Sequence, residues 1–481
     1  MVGPVETNVL VCHNLLYYTH QIARLCEAVE LTRENARFWN RLTSVQVIVL
    51  FYTAAVVIST TLLSMPIAHR PGMKWSFIDA LFTSVSAISV TGLTVVSTSD
   101  MFSTTGYFIL AFILQFGGIG IMTLGTFIWI LFGKKIGLKD RQLIMTDQNR
   151  STFSGLVKLM RQILIIVLAI EAIGAFILGV YFLDFFPTWE EAFIQGFFAS
   201  VSATTNAGFD ITGNSLIPFA NDYFVQSINI ILLILGAIGF PVLIELKEWF
   251  THRGSTPYRF TLFTKLTTLT FFILVLLGTL FILVFESHHF FIGKSWHESF
   301  FYALFQSVST RNGGLATMDV SEFSAPTLLF MSGLMFIGAS PSSVGGGIRT
   351  TTFAIMMLSI FFFAKGKNSI KVFGREVDPE DIHRSFIVIT TAVFICCSAV
   401  LAMTFFHPEF SILEIIFEVT SAFGTTGLSM GITSELGTAG KIIIIALMFI
   451  GRIGIFSFLF LIRGKTVNEK YHYPREKVII G

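Results

Sequence analysis

The sequence predicts an all-α integral membrane protein of eight transmembrane helices, arranged as four helix, re-entrant loop, helix units in pseudo-fourfold order around a central path. Three observations carry that prediction. Of 481 residues, 53% are hydrophobic and only 13% charged, against about 25% charged in an average soluble domain. Apolar runs alternate between two lengths, one near the roughly 20 residues that cross a bilayer and one near the 10 to 14 that more often re-enter or lie at an interface. The stretch Ser86 to Leu93 also returns three times in altered form.

The elements follow in order. Residues 1–40 form a cytoplasmic N-terminal segment of mixed polarity, without the basic stretch and apolar core of a cleaved signal, and no function is assigned to them. The first unit, 41–133, has a long run from Leu42 to Met65, a short run from Phe77 to Ser89 and a long run from Tyr107 to Phe132. The second, 162–247, has Ile163 to Leu183, Ala192 to Val201 and Phe224 to Ile244. The third, 266–364, has Leu266 to Phe285, Phe300 to Val308 and an interrupted pair, Thr327 to Gly338 and Thr350 to Ala364. The fourth, 385–465, has Phe386 to Phe406, Ile412 to Ala422 and Ile442 to Ile462, before a tail over 466–481.

Each short run leads into one copy of the repeated stretch. The copies read Ser-Ala-Ile-Ser-Val-Thr-Gly-Leu from Ser86, Ser-Ala-Thr-Thr-Asn-Ala-Gly-Phe from Ser202, Val-Ser-Thr-Arg-Asn-Gly-Gly-Leu from Val308 and Ser-Ala-Phe-Gly-Thr-Thr-Gly-Leu from Ser421. Gly92, Gly208, Gly314 and Gly427 align at separations of 116, 106 and 113 residues. The second long helices carry an echo 24 to 28 residues later: Gly117-Gly118-Ile119-Gly120, Gly236-Ala237-Ile238-Gly239, Gly338-Ala339-Ser340-Pro341 and Gly451-Arg452-Ile453-Gly454. Small residues in a membrane helix mean close packing; four matched copies also mark an internal repeat.

Basic residues set the orientation. Seven Lys or Arg lie in 133–161, four in 245–265, five in 365–384, five from Arg463 onward and four in residues 1–41. The opposite loops carry Asp100, Asp184, Glu190, Asp210, Asp222, Asp319 and Glu435. The positive-inside rule then puts both termini in the cytoplasm and brings the four short loops in from outside.

Non-helical backbone at membrane depth survives only where protein or a water-filled path satisfies its amides, so four such loops imply a central polar path. Inward carbonyls from four loops can replace the hydration shell of a monovalent cation. Glycine suits such a position because it reaches positive φ freely. The preceding residues, Val90-Thr91, Asn206-Ala207, Asn312-Gly313 and Thr425-Thr426, are uncharged. That favours carbonyl coordination of K+ or Na+ over carboxylate binding of a divalent ion.

The repeated unit, the loop glycines and the basic cytoplasmic ends resemble the Trk/Ktr/HKT superfamily of potassium transporters from about Leu42 to Lys465, and eight helices look most like bacterial Ktr membrane subunits. The resemblance implies K+ as the transported ion at the filter only, with Na+ dependence as an option and a Na+-selective transporter as the alternative. It further implies a homodimer with one path per protomer, a cytosolic nucleotide-binding regulatory ring subunit, and a place in the cytoplasmic membrane. The third copy, with Arg311 and Asn312, departs furthest from the motif.

Two features bear on gating. Gly338, Ala339, Ser340, Pro341, Ser342, Ser343, Val344, Gly345, Gly346 and Gly347 interrupt the third unit's second helix, where the other three are expected to continue; proline and three successive glycines cannot hold a regular helix. The resemblance makes this the intramembrane loop that obstructs the path. Arg452 stands mid-helix, where a charge costs at least about 2.5 kcal/mol; it either faces the path as part of the gate or pairs with Glu171.

Other classes fit less well. A net charge of +2 implies no nucleic-acid partner. Gly345 to Thr351 lacks the Gly-Lys-Ser/Thr ending of a phosphate loop, and no cofactor site is expected in this chain. An embedded enzyme needs converging acid, base or nucleophile, whereas only Glu171 and Arg452 are central. Cys12, Cys26, Cys396 and Cys397 fit neither a disulfide framework nor a metal spacing.

Overall fold

The computed structural model describes residues 43–73, 75–120, 156–252, 254, 257–367, 369–462, 474 and 476. The expectations for 1–40, for the end of the first unit's second helix beyond 120, for the basic stretch 133–155 and for most of the tail lie outside the described residues.

Among the described residues four helices are long and apolar enough to cross a membrane, Ser44–Leu63, Leu156–Tyr181, Leu262–Glu286 and Pro379–Phe406, and each falls on a long run read from the sequence. The first starts at a capping box in which Thr43 and Gln46 satisfy one another's backbone N–H groups, and the last opens on Pro379 behind the Asp378 cap. Ile58, Phe176, Leu276 and Phe394 stand exposed on their outer faces. Such faces are stable only against lipid or another apolar surface.

The short runs form Phe77–Ser89, Trp189–Thr204, Trp296–Ser309 and Ile412–Gly424. All four start in the same way. Ser76, Thr188, Ser295 and Ser411 each accept a hydrogen bond from the backbone N–H three residues on, at Asp79, Glu191, Glu298 and Glu414. A hydroxyl cap satisfies an orphan donor and the acid complements the positive helix end. This explains why the second and third helices begin at Trp189 and Trp296, ahead of the apolar runs: capping and the first-turn acids start them, not hydrophobicity.

Each short helix packs on the long helix before it in the chain and also on the second helix of the preceding repeat. Trp189–Thr204 meets Thr104–Ile119, Trp296–Ser309 meets Tyr223–Ala237, and Ile412–Gly424 meets Ala325–Phe336. Phe77–Ser89 meets Thr438–Ile453, which closes the cycle. The largest core cluster follows that closure, joining Phe82 and Leu110 near the start of the chain to Val419 and Met448 near its end.

The second helices correct the sequence reading, which broke only the third. Tyr223–Ala237 bends by 104° into Phe240–Thr251, and Thr438–Ile453 bends by 103° into Ile455–Ile462. The hinges are Gly239 (φ 102°, ψ 132°) and Gly454 (φ 86°, ψ 148°), and Gly120 ends Thr104–Ile119 with φ 96° and ψ 133°. Only glycine adopts that conformation readily, so one residue turns the chain without changing an apolar count. In the third repeat Pro341 occupies the hinge register, and Ala325–Phe336 and Thr350–Ala364 are separated by an irregular loop over 337–349.

The helical architecture has one small addition. Lys371–Val372 and Arg375–Glu376 form a two-stranded antiparallel hairpin. Its turn residues, Phe373 at φ 52° and Gly374 at φ 75°, take the primed turn that matches strand twist.

Candidate functional site

The four repeated stretches leave their short helices through one shared conformation. The residue two before each aligned glycine is left-handed: Val90 at φ 57°, Asn206 at 52°, Asn312 at 72° and Thr425 at 53°. Asparagine tolerates this, but for β-branched valine and threonine it is a strained outlier that the surroundings must hold in place. They do so by hydrogen bonds. The amides of Thr91, Ala207 and Thr426 each donate to the carbonyl of the first serine of their stretch, Ser86, Ser202 and Ser421, at 2.8 Å. The hydroxyls of Ser86 and Ser421 accept from Gly92 N and Gly427 N at 3.1 Å. Ser202 Oγ instead donates to Phe209 O at 2.5 Å. In the third copy Val308 stands in the serine's place, and Ser309 takes over by donating to Leu315 O at 2.5 Å. These serines were visible in three copies of the motif, but a reading centred on glycine passed over them.

The glycines meet in a closed ring. A methyl placed on Gly92 would lie 2.6 Å from Ala207 O and 2.9 Å from Gly208 Cα. On Gly208 it would lie 3.0 Å from Gly314 Cα, and on Gly314 2.6 Å from Thr426 O and 3.4 Å from Gly427 Cα. On Gly427 it would strike Thr91 O and lie 3.1 Å from Gly92 Cα. Positions more than a hundred residues apart in sequence are thus neighbours, and three of the carbonyls preceding the glycines lie at the ring itself. Val90, Thr91, Asn206, Ala207, Asn312, Gly313, Thr425 and Thr426 are buried around it, and none is charged. Neighbouring stretches are therefore in contact all round the ring.

The echo glycines form a seat for the ring. A methyl on Gly117 would lie 2.6 Å from Ile88 O, and methyls on Gly236 and Gly451 would strike Thr204 O and Phe423 O. Each of those carbonyls belongs to the residue four before its repeat's ring glycine. Gly338 breaks the pattern, since its methyl would strike Gly346 O of the irregular loop.

That loop is held by the second and fourth repeats. Ser340 N donates to Ala237 O at 3.1 Å, and Phe240 N donates to Ser342 O at 2.9 Å. Ala339 N donates to Gly346 O at 3.2 Å within the loop, and Gly347 N to Gly451 O at 3.2 Å. Gly346 N donates to Thr425 Oγ1 at 2.8 Å, which hangs the loop from the fourth repeated stretch. Ser343 Oγ donates to Ser340 O at 2.7 Å. Ala339, Ser340, Pro341, Val344, Gly345 and Gly346 are buried, so the loop lies within the protein with its backbone largely satisfied.

Arg452 donates from Nη1 to Val344 O and from Nη2 to Gly117 O, linking the fourth repeat to the loop and to the first repeat. The rival partner Glu171 carries Gln115 Nε2 on its carboxylate, and its backbone oxygen accepts from Ser200 Oγ at 2.8 Å. The sequence reading gave no role to Arg311 and gave Asn312 one only through its backbone at the ring. Arg311, 1% exposed, donates from Nη2 to Leu334 O, and Asn312 Nδ2 reaches Gly424 O, Thr425 O and Thr425 Oγ1. Their signal was their departure from the repeat. Among the described residues no group of three His, Cys, Asp or Glu is placed to hold a metal.

A family model described as TrkH, cation transport protein, matches residues 26–471. Ktr system potassium uptake protein D of Bacillus subtilis is 59% identical over 440 residues, covering 92% of this chain and 98% of that protein. Ktr system potassium uptake protein B of the same organism is 35% identical over 458 residues, covering 94% and 100%. The crystal structure of the potassium transporter TrkH from Vibrio parahaemolyticus matches with a TM-score of 0.66 and 19% identity, over 87% of this chain and 84% of that one, a likeness of fold.

Proposed function

The chain belongs to the TrkH family of cation transport proteins, and from that premise we propose that it takes up potassium across the cytoplasmic membrane through the ring at Gly92, Gly208, Gly314 and Gly427. The closure of four distant glycines on one another is the observation that carries this reading. The relatives named as potassium uptake proteins support K+ as the substrate.

In this reading backbone carbonyls of the four stretches replace the hydration shell of K+ as it passes. Each short helix aims its C-terminal, partially negative end at the ring, which favours a cation there. The membrane potential supplies the drive, about 2.3 kcal/mol per cation for each 100 mV, with Na+ dependence as an accompanying option. The loop over 338–347 and Arg452 form the gate beneath the ring. Eight crossings in four units, both termini in the cytoplasm, a homodimer with one path per protomer and a cytosolic nucleotide-binding ring subunit complete the proposal.

The test is growth on limiting K+ and uptake of a Rb+ tracer in cells lacking their own potassium uptake. The unmodified chain, with a cytosolic ring subunit where needed, is expected to rescue. Gly92→Ser and Gly314→Ser are expected to weaken rescue and let Na+ in, because each side chain enters a positive-φ site already in contact with the next strand. Rescue and ion preference unchanged in both variants would remove the ion path from the ring. Na+ uptake without K+ uptake by the unmodified chain would make the protein a sodium transporter.

A further inference from the structure

We propose that Thr425 and Asn312 are positioning residues that clasp the 337–349 loop to the glycine ring, so that the width of the ring and the place of the loop change together. This rests on the reading of that loop as a gate. The clasp is one hydroxyl shared by two donors: Thr425 Oγ1 accepts from Gly346 N of the loop at 2.8 Å and from Asn312 Nδ2 of the third strand at 3.0 Å. The same Asn312 nitrogen reaches Thr425 O at 3.0 Å and Gly424 O. Two strands of the ring and the loop therefore converge on a single oxygen, and all three residues are buried.

The other two strands lack the connection. Val90, at the register of Thr425 and Asn312, has no side-chain donor or acceptor. Asn206, in the orientation that satisfies both ends of its amide, donates to Ala203 O at 2.8 Å and Leu233 O at 3.2 Å within its own repeat. The third strand has a further tie to the loop, because Arg311 holds Leu334 O in the helix that runs into it. Fit is close on the loop side too: a methyl on Gly346 would lie 2.7 Å from Thr425 Oγ1 and 2.8 Å from Gly451 O. When the loop leaves, Thr425 loses one of its two donors and the ring loses its lower anchor on one side. Coupling of this kind is reciprocal, so an ion that favours a wider ring also favours the displaced loop.

The experiment measures Rb+ uptake per folded protein, the folded amount taken from size-exclusion chromatography, with the loop intact and with residues 340–347 deleted. The readout is the ratio of deleted to intact. Thr425→Val keeps the shape and removes the hydroxyl, and should reduce the ratio by about fivefold, the worth of one hydrogen bond. Thr425→Ser, which keeps the oxygen, should hold the ratio, and Gly346→Ala, which presses on the clasp from the loop, should reduce it. Should the valine variant not fold, the alanine variant decides. Deletion that raises uptake while neither variant moves the ratio would overturn the clasp and leave the gate standing. Deletion that leaves uptake unchanged would overturn the gate reading itself, and the clasp with it.

Discussion

The second and third repeats break the same helix in opposite ways. In the second, Gly239 turns the chain by 104° at one residue, and Phe240–Thr251 follows directly. In the third, Pro341 stands at that register and the turn becomes an irregular loop over 337–349, tied by its amides to carbonyls of the second and fourth repeats. A one-residue hinge has nothing to release, since its shape is set by its own torsions. A loop held by separable hydrogen bonds can leave its place as a unit. Among the described residues the second and fourth repeats turn at a single glycine, and the third turns through a loop.

The largest expected effect removes that difference. Deleting 340–347 should raise Rb+ uptake about tenfold or more, corresponding to at least about 1.4 kcal/mol of barrier; unchanged uptake would make the third repeat as static as the second. Arg452→Gln comes next. It removes the bonds to Val344 O and Gly117 O together with a positive charge, and uptake should increase severalfold; lost protein yield at constant flux per molecule would make Arg452 a structural strut. Gly239→Ala tests the hinge. Its methyl meets Pro341 O at 2.9 Å at a φ of 102°, so thermal stability should drop by about 1 kcal/mol or more, while ion preference stays the same. The smallest effect is expected at Lys441, whose amine lies 2.7 Å from Asp79 Oδ1 and joins the first and fourth repeats. Lys441→Ala should lower stability by about 1 kcal/mol at most, less at high salt, and a larger loss would mean that the cycle closes chiefly at that pair.

Much of this was legible in the sequence, and the misses share one cause. Apolar run length located Phe77–Ser89 and the interruption after Phe336, because both are properties of several residues at once. The hinges at Gly239 and Gly454 were missed because a single torsion leaves the hydropathy of its neighbours unaltered. The starts at Trp189 and Trp296 were missed because capping by Thr188 and Ser295 is a matter of hydrogen bonds, not of burial. Aligned glycines pointed to the ring, but the strain at Val90 and Thr425 and the shared oxygen of the clasp depend on how strands from separate repeats meet, and no single stretch records that.

The manner in which the loop is held has a consequence for biogenesis. Gly346 N and Gly347 N find their partners at Thr425 and Gly451, residues that leave the ribosome later. At roughly 5–20 residues per second, the hundred or so intervening residues take roughly 5–20 s to make. During that time a polar segment flanked by two half-length helices has no finished protein around it and cannot rest in lipid. The third repeat must therefore wait in the insertion machinery or at the aqueous interface until the fourth arrives, and a ribosome stalled between the two should yield a chain whose third repeat is still open to proteases and quality control.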